Sequence, residues 1–396
     1  MTKQTLPLSG ITVLSFEHAI AAPLCTRQLA ELGAKIIKVE RRVEGDFARK
    51  YDDRTKGLSS HFVWTNRSKL SLTLDLKHPD SADILNRLLE EADVLVQNLA
   101  PSAAKRLGLS YEALHTKFNQ LVVCNISGYG ESGPYKDRKA YDLLVQAEAG
   151  FLSVTGTSDA GVKSGISIAD IAAGMQAQSA IMAALMLRAR TGEGSEIDIS
   201  MLEAMVEWMG YPLNYAYDGA EPPPRTGSDH ASIYPYGAFR CRDGKAIMLG
   251  LQNEREWQDF CELVLSDSPL IKDSRFLNNQ SRSQNRLELK KIIDAKFKTL
   301  EVHEIKKKLG DANIAYADVN EMKDVWNHPQ LTALKRIVDI ESTAGSLKSF
   351  LPPGNNNRYE PVLAPVPAVG EHTEEILFEL GFSSERVKRF KTKGVV

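Results

Sequence analysis

The feature that most constrains the fold is an uncharged run of small and apolar residues between positions 171 and 187. It lies within the segment SGISIADIAAGMQAQSAIMAALMLRARTGEGSEIDISM at residues 164–201. The run predicts a helix buried against a sheet, with alanines where larger side chains would not fit. The large side chains expected in the core are Ile171, Met175, Ile181, Leu185 and Leu187. Two glycines then lead into a strand at residues 196–200, and Asp170 stands where the helix begins.

Asp170 admits two interpretations. Asp is a favoured N-cap, because its side-chain oxygen accepts hydrogen bonds from the free N–H groups of the first helical turn. A carboxylate at a helix N-terminus is also held ionised by the helix dipole, and a fixed, ionised carboxylate can attack an activated acyl group. The two roles are compatible, and position alone does not choose between them.

Charge and composition argue against several classes of protein. The 396 residues allow two or three domains, and a formal net charge of −2 gives no reason to expect nucleic acid or an anionic membrane as a partner. The first residues, MTKQTLPLSG, lack the apolar core of a secretory signal, and we expect no membrane-spanning segment. Four widely spaced cysteines and eight scattered histidines predict buried reduced thiols, a cytoplasmic protein and no metal site.

Short apolar strands alternate with helical patterns in the first half of the chain. The predicted strands lie at residues 11–15, 35–39, 70–76, 93–97 and 121–126. This alternation is typical of an α/β layer with a mostly parallel sheet, whose ligands bind beyond the carboxyl ends of the strands. The turn after the first strand, SFEHAIAAPLC, has no glycine where a dinucleotide-binding fingerprint needs three. The sequence therefore argues against a nicotinamide-dependent dehydrogenase.

Composition divides the chain into four parts. Residues 1–217 form the predicted large α/β domain, and residues 218–229, with three consecutive prolines, form a linker. Residues 230–325 read as an antiparallel hairpin followed by helices, which predicts a small α+β domain. Residues 326–396 contain a second Pro/Asn-rich loop and end in a helical tail.

Six segments, spread over nearly the whole chain, carry a family resemblance. They are FEHAIAAPLCTRQLAELGAKIIKVER, DVLVQNLAPSAAKRLGL, ISGYGESGPYKDRKAYDLLVQAEAG, IADIAAG, TGEGSEIDISMLEA and GEHTEEILFELGF. Together they resemble the class III CoA-transferases, the carnitine dehydratase/bile-acid-inducible protein F family, in the family's own order. The resemblance implies a Rossmann-like parallel-sheet large domain and a small α+β domain in an interlocked homodimer. It also implies that residues 326–396 return to the large domain.

The resemblance implies a covalent mechanism with Asp170 as the nucleophile. Its carboxylate would attack an acyl-CoA thioester, giving an aspartyl anhydride and then an aspartyl-CoA thioester that passes CoA to an acceptor acid. Coenzyme A enters as a thioester substrate, and no cofactor is bound permanently. Each oxyanion needs hydrogen-bond donors. The candidates are the backbone N–H groups of GLQN, which includes Gln252 and Asn253, acting across the dimer.

Residues that hold CoA are also implied, by comparison with the formyl-CoA transferases of the family. They are His18, Ala19, Ala21, Arg41, Leu74, Lys77, Asn98, Leu99, Arg106, Leu107, Lys139 and Met201. Arg and Lys can bind the CoA phosphates, and leucines can flank the adenine. Each basic residue alone would be a solvated surface charge, and it is their occurrence together at strand ends that favours a site.

Departures from relatives bear on the substrate. Ile20 stands where formyl-CoA transferases have a substrate-contacting glutamine, which argues against oxalate as the acceptor. Tyr141 stands where the racemases of the family have a proton-transferring histidine, and a phenol is a poor replacement near neutral pH. The segments EHAIAAP, SHFVWTNRSK and MLEAMVEWMGYPLNYAYDG resemble members that act on C4–C5 dicarboxylates such as mesaconate, itaconate, citramalate and succinate, and the expected donor is succinyl-CoA.

A dicarboxylate acceptor needs a fixed cation for its second carboxylate, because burying that group unpaired is costly. The candidates are His18, Arg49, Arg67 and His230. The two arginines are favoured, since a guanidinium can bind a carboxylate through two hydrogen bonds. Three alternatives remain open: an acyl-CoA racemase or isomerase, an intramolecular CoA transfer on a dicarboxylyl-CoA such as mesaconyl-CoA, and a protein that binds CoA thioesters without turnover.

Overall fold

The structure, a computed structural model, describes residues 5–396, so the first four residues of the expected domain 1–217 lie outside the described residues. The strands are β1 (Thr12–Phe16), β2 (Lys35–Glu40), β3 (Leu70–Thr73), β4 (Val94–Gln97), β5 (Val122–Ser127), β6 (Glu196–Ser200), β7 (Tyr236–Arg240), β8 (Ala246–Gly250), β9 (Ala315–Asp318), β10 (Ile337–Ile340) and β11 (Leu347–Phe350). The helices are α1 (Ala21–Glu31), α2 (Ser60–Asn66), α3 (Ser81–Glu90), α4 (Pro101–Arg106), α5 (Tyr111–His115), α6 (Asp142–Glu148), α7 (Phe151–Val154), α8 (Ile168–Thr191), α9 (Met201–Trp208), α10 (Gly210–Tyr215), α11 (Glu254–Asp259), α12 (Asn279–Gln284), α13 (Arg286–Phe297), α14 (Val302–Asp311), α15 (Met322–Val325), α16 (Pro329–Ala333), α17 (Thr373–Glu379) and α18 (Ser384–Lys393).

Six strands form one parallel sheet in the order β3-β2-β1-β4-β5-β6. Leu14 in β1 is paired with Ile37 on one side and Leu95 on the other, and all three are buried. Such apolar runs are typical of strands that are covered on both faces. The predicted α/β class with a parallel sheet is therefore confirmed. The strand order reverses between β1 and β4, because β2 and β3 extend the sheet to one side of β1 and β4, β5 and β6 extend it to the other. Ligands of doubly wound sheets bind at such a point.

Helix α8 packs through a stripe of small residues. Its buried positions are Ala169, Ala172, Ala173, Gly174, Ala177, Ile181 and Ala184. A Cβ atom at Gly174 would lie 2.6 Å from the carbonyl oxygen of Ala21, so the glycine allows α8 and α1 to approach closely. The expected close packing is therefore observed, but its main partner is helix α1, whereas the sequence predicted a sheet. The further neighbours of α8 are β5, β6, α6 and α9.

The large residues of α8 do not all follow the expectation of burial. Ile181 is buried, and Ile171 and Leu185 are half-buried. Met175 and Leu187 are 45% and 54% exposed in the single chain. The prediction was wrong for these two residues because the alanine stripe makes the packing face and leaves an apolar outer face uncovered.

Helix α8 is long and apolar enough to cross a membrane by length and composition only, which is weak evidence for a membrane span. It has 24 residues, and the mean hydropathy of its most apolar window is 1.2. A core helix in a packed unit meets the same two criteria, and the small-residue stripe of α8 is buried against α1.

The chain divides into two compact units. The first consists of the chain up to Ala149, Ser164–Met209 and Gln330–Val396, and the second consists of Gly150–Lys163 and Gly210–Pro329. The second unit contains the antiparallel sheet β7-β8-β9 and a core that includes Phe239 and Trp257. Its longer segment begins at Gly210, ahead of the Pro-rich residues 218–229.

Residues 330–396 belong to the first unit because they bind along β3. The backbone N–H of His372 donates to the carbonyl oxygen of Ser71 at 3.0 Å, and that of Asp75 donates to Val395 at 2.8 Å. Helices α17 and α18 contribute apolar side chains to the core cluster that contains β3. The C-terminal segment therefore covers one edge of the parallel sheet.

Candidate active site

A row of basic side chains follows the carboxyl ends of the parallel strands. Lys77 comes after β3, Arg41 after β2, Arg106 at the end of α4, and Lys139 between β5 and α6, and all four are exposed. The segments that directly follow β3 and β2 are side by side, so Lys77 and Arg41 lie at the same edge of the sheet, whereas Arg106 and Lys139 stand farther along the chain from β4 and β5. An exposed row of this kind can meet the phosphates of an anionic ligand.

His18 and Asn98 join the turns on either side of the point where the strand order reverses. The N–H of His18 donates to Asn98 Oδ1, and Asn98 Nδ2 donates to the carbonyl oxygen of His18, both at 2.9 Å. Burial lowers the pKa of the His18 imidazole, so the ring is neutral at neutral pH. His18 therefore fixes the backbone of this turn and is not a cation for a substrate carboxylate.

The apolar residues expected around CoA differ in exposure. Those that are buried are Ala21, Leu74 and Met201. Leu74 belongs to the core cluster of the sheet, so its side chain is not available to flank an adenine in this structure. Leu99 and Leu107 are half-buried and pack against the same cluster. Sequence reasoning missed this because a leucine at a strand end serves the core as readily as a ligand.

Asp170 is the third residue of α8, and Ser167 occupies the cap position. The capping carboxylate is that of Asp142, at the start of α6. Its Oδ1 accepts hydrogen bonds from the N–H groups of Ala169 at 2.8 Å and Asp170 at 3.3 Å, while Gln146 Nε2 donates to its Oδ2 at 2.7 Å. The N-cap interpretation of Asp170 was wrong, because the Asp142 carboxylate accepts the hydrogen bonds from the first turn of α8. The Asp170 side chain does not cap the helix.

Burial, followed by the negative charge of Asp142, raises the pKa of Asp170 to about 7. The expectation that the helix dipole keeps Asp170 fully ionised is therefore wrong. The dipole contributes about 0.3–1 kcal/mol, which is less than the cost of removing a carboxylate from water. A half-buried, poorly solvated carboxylate whose pKa lies near neutral pH suits nucleophilic attack.

An aromatic row near Asp170 was missed by sequence reasoning. The ring centroids of His18 and Phe47 are 5.4 Å apart, those of Phe47 and Tyr51 5.8 Å, and those of Tyr51 and His61 5.4 Å. Burial is the main cause that raises the pKa of Tyr51, and neighbouring negative charges that include Asp170 add to it. The row thus reaches from the turn after β1 toward the carboxylate. The signal was the aromatic spacing in DFARKYDD, which follows β2.

Arg49 and Arg67, the favoured partners of a second carboxylate, are bound within the unit. Arg49 donates to both oxygens of Glu40 at 2.8 and 2.7 Å, which, against the opposing effect of burial, lowers the pKa of Glu40 to about 2. Arg67 is 3% exposed and pairs with Glu31 at 2.9 Å through Nε. Neither is a free cation, so the structure argues against both assignments.

The expected residues of the second unit are also engaged. His230 Nδ1 accepts from the N–H groups of Ser232 and Ile233, so the backbone of its own turn occupies this ring nitrogen. The N–H of Gln252 donates to Glu256 at 2.7 Å, and Asn253 caps α11. His230 as a cation and the N–H of Gln252 as an oxyanion donor are therefore not supported.

The two positions that distinguish relatives lie in different surroundings. Ile20 immediately precedes α1 and is 4% exposed, so it belongs to the interior. Tyr141 immediately precedes α6 and is 68% exposed. Across residues 5–396, no group of three His, Cys, Asp or Glu side chains is arranged to hold a metal ion.

Comparisons with known proteins show which family the chain belongs to. The model of CoA-transferase family III matches residues 8–373. The succinyl-CoA:glutarate CoA-transferase of Mus musculus is 32% identical over 98% of this chain and 90% of its own length. The succinate–glutarate CoA-transferase of Agrobacterium fabrum is 31% identical over 96% of this chain and 97% of its own. A CAIB/BAIF family protein from Brucella suis is 30% identical, with a TM-score of 0.85, covering 96% of this chain and all of that structure.

This protein belongs to CoA-transferase family III. It is an enzyme that transfers coenzyme A.

Proposed function

We propose that the enzyme transfers CoA from succinyl-CoA to a C4–C5 dicarboxylic acid through covalent intermediates on Asp170. The observation that carries the proposal is the position of Asp170: half-buried on the first turn of α8, with a pKa of about 7. The relatives named for succinyl-CoA and glutarate support a five-carbon acceptor among the candidates.

The proposed reaction has four bond exchanges and no net proton transfer. The Asp170 carboxylate attacks the thioester carbonyl of succinyl-CoA, forming an anhydride and expelling the CoA thiolate. The thiolate attacks the aspartyl carbonyl, forming aspartyl-CoA and releasing succinate. The acceptor carboxylate then attacks the aspartyl thioester and again releases the thiolate. Finally the thiolate attacks the acceptor carbonyl, which regenerates the Asp170 carboxylate.

In this proposal the exposed cations hold the CoA phosphates. Arg41 and Lys77 closely follow β2 and β3, Arg106 and Lys139 lie in the segments after β4 and β5, and all four are exposed. The proposed CoA site also uses the clamped turn at His18. Coenzyme A is a substrate that arrives and leaves as a thioester, so no resident cofactor is part of the proposal.

The direct test is a donor–acceptor screen. The enzyme is mixed with succinyl-CoA and, in turn, glutarate, itaconate, mesaconate, citramalate and a five-carbon monocarboxylate, and new thioesters are identified by mass spectrometry. We expect a dicarboxylyl-CoA product with wild type and none with Asp170→Asn. Hydroxylamine added during turnover is expected to mark Asp170 as a hydroxamate. Full activity of Asp170→Asn would refute the covalent mechanism.

We also propose that the enzyme is a homodimer with interlocked subunits, located in the cytoplasm. The support for a partner surface is a set of exposed large apolar side chains on the first unit. They are Leu143, Leu144, Ile166, Met175, Met186, Leu187, Val206 and Trp208. Monomeric proteins rarely leave so many uncovered. Sedimentation is expected to give a dimer that dissociates only on unfolding, and a folded active monomer would refute it.

A further inference from the structure

A cluster of fully buried charges lies behind the turn that follows β1. We call Glu17, Lys38, Asp46 and Lys69 the buried charge cluster, and each of these side chains is 0% exposed. Lys69 Nζ is 2.7 Å from Glu17 Oε1, and Lys38 Nζ is 2.7 Å from Asp46 Oδ2. Asn66 Oδ1 accepts from both lysines. Two positive charges thus balance two negative ones in the interior.

The ion pairs offset the effect of burial to different extents. Against the lowering effect of burial, Glu17 and Asp46 raise the pKa of Lys38, whereas burial outweighs the partners of Lys69 and lowers its pKa to about 8. Burial alone would raise the pKa of Glu17, but Lys69 and Lys38 hold it below its ordinary value. Taking such charges out of water costs about as much as their attraction returns, so a buried pair is weak evidence for stability. Lys38 lies in β2 between the apolar residues Ile37 and Val39, and its partners on the two adjacent strands are Ser15 and Ser71. A structural task beyond stability is therefore the better explanation for the cluster.

Asp46 connects the cluster to the backbone of the turn. Its Oδ2 is held by Lys38, and its Oδ1 accepts from the N–H groups of Ala48 at 2.9 Å and Ala19 at 3.3 Å. Ala19 has a φ of 61°, in the left-handed region that alanine occupies only at an energetic cost. Such strain persists only where surrounding contacts hold it, and it concentrates at ligand sites.

We infer that Asp46 is a positioning residue of the acyl-CoA site, which holds Ala19 in its left-handed conformation while Lys38 orients Asp46. The inference rests on the proposed function, because this turn lies where the strand order reverses and carries His18. The hydrogen bonds of His18 with Asn98 hold the same turn from its other side. Hydrogen bonds with Asp46 on one side and with Asn98, which follows β4, on the other therefore hold the turn. These bonds keep the backbone of the turn in a single conformation for the ligand.

The test is a double-mutant cycle of Asp46→Asn and Ala19→Gly. Wild type, both single variants and the double variant are titrated with CoA by calorimetry and assayed for KM and kcat. Asp46→Asn removes the charge that Lys38 holds, and we expect the Kd of CoA and the KM of the acyl-CoA to rise about tenfold, with a smaller change in kcat. Glycine adopts the left-handed region without strain, so Ala19→Gly is expected to recover a large part of that loss in the double variant. A purely structural role of Asp46 would not be rescued at position 19.

Two further variants keep the inference testable if Asp46→Asn fails to fold. Ala19→Val leaves every buried charge in place but disfavours the left-handed turn, and it is expected to weaken CoA binding as Asp46→Asn does. Asp53→Asn makes the same chemical change at an exposed position and is expected to bind CoA like wild type. Wild-type CoA affinity in Asp46→Asn or Ala19→Val, or strictly additive effects in the cycle, would overturn the inference. Urea unfolding of the same four proteins measures the coupling of positions 46 and 19 in the absence of CoA. A failure of the proposed function is recognised separately, because wild type would then not bind CoA.

Discussion

The carboxylate of Asp142 accepts a hydrogen bond from the backbone N–H of Asp170 at 3.3 Å, so two acidic residues meet at the start of α8. Asp142 caps the helix, and the side chain of Asp170 takes no part in the capping. The same charge that orders the first turn also opposes the ionisation of Asp170. The nucleophile is thus poised near neutral pH by burial and by its own capping group.

Asp142→Asn is expected to move the acidic limb of the pH profile. The reaction needs ionised Asp170, so kcat/KM of wild type should rise with pH through about 7. Asparagine keeps the acceptor oxygen for the first turn but removes the like charge, so the pKa of Asp170 falls. We expect the limb to shift down by about one pH unit or less, because burial, the larger cause, remains. Asp142→Ala, which also loses the acceptor, is the comparison, and a limb that does not move would contradict this account.

Asp170→Asn is expected to stabilise the protein in alkaline solution. The pKa of Asp170 is raised on folding, so its contribution to stability is complete at low pH and is lost as pH rises through about 7. Asparagine carries no charge to bury, so the variant should exceed wild type at pH 8 by about 1–3 kcal/mol. At pH 4 the advantage should be much smaller. Urea unfolding at equal subunit concentration measures the difference in free energy of unfolding, and the exposed Asp137→Asn is the control. Equal stabilities of Asp170→Asn and wild type at pH 8 would show that folding does not raise the pKa of Asp170.

Tyr51→Ala is expected to weaken use of the acceptor acid. Tyr51 lies in the aromatic row near Asp170 and is 48% exposed, so it can contact whatever approaches that carboxylate. We expect KM for the acceptor to rise about tenfold, while the Kd of CoA stays as in wild type. Tyr51→Phe keeps the ring and separates stacking from hydrogen bonding. Tyr135→Ala, in a different exposed aromatic pair, is the control. An unchanged KM in Tyr51→Ala would remove the row from the substrate site.

Arg67→Met is expected to destabilise the protein without changing acceptor preference. The substitution would remove the nearer of two guanidinium partners of buried Glu31. The loss should stay below the cost of a fully unpaired buried charge, about 3–5 kcal/mol, because Arg27 Nε still lies 3.5 Å from Glu31 Oε1. The ratio of kcat/KM between dicarboxylate and monocarboxylate acceptors should stay as in wild type. Arg255, which is exposed, is the matched control, because Arg255→Met should change stability by about 0.5 kcal/mol or less. A selective loss of dicarboxylates in Arg67→Met would restore the sequence-based assignment of Arg67.

The enzyme is expected to leave the α-hydrogen of 2-methylacyl-CoA in place. Tyr141 occupies the position of a proton-transferring histidine in racemases and is 68% exposed. A solvated phenol is a weak base near neutral pH, so incubation in deuterated water should show no deuterium uptake by mass spectrometry. The exchange rate is compared with that of CoA transfer under the same conditions. Exchange as fast as transfer would favour the racemase alternative.

Several elements could be read from the sequence because the signal was local. The strand expected at residues 35–39 is β2, Lys35–Glu40, and the strand expected at residues 196–200 is β6. All four cysteines are buried and unpaired, as expected from their spacing. Alternation of apolar runs with helical periods reports secondary structure directly, since each pattern spans only one element. Helix α2, within SHFVWTNRSK, was missed because its seven residues make only about two turns, too few for a helical period to be detected.

The sequence by itself determined the α/β class, the family resemblance and Asp170 as the candidate nucleophile, because each depends on short motifs and on their order along the chain. Only the tertiary structure decided which charges are available. Arg49 is held by Glu40, and Arg67 by Glu31 across 36 positions. Asp142 caps a helix that begins well after it. The physical reason is that pairing, burial and the resulting pKa values depend on distances in space, which residue order does not contain.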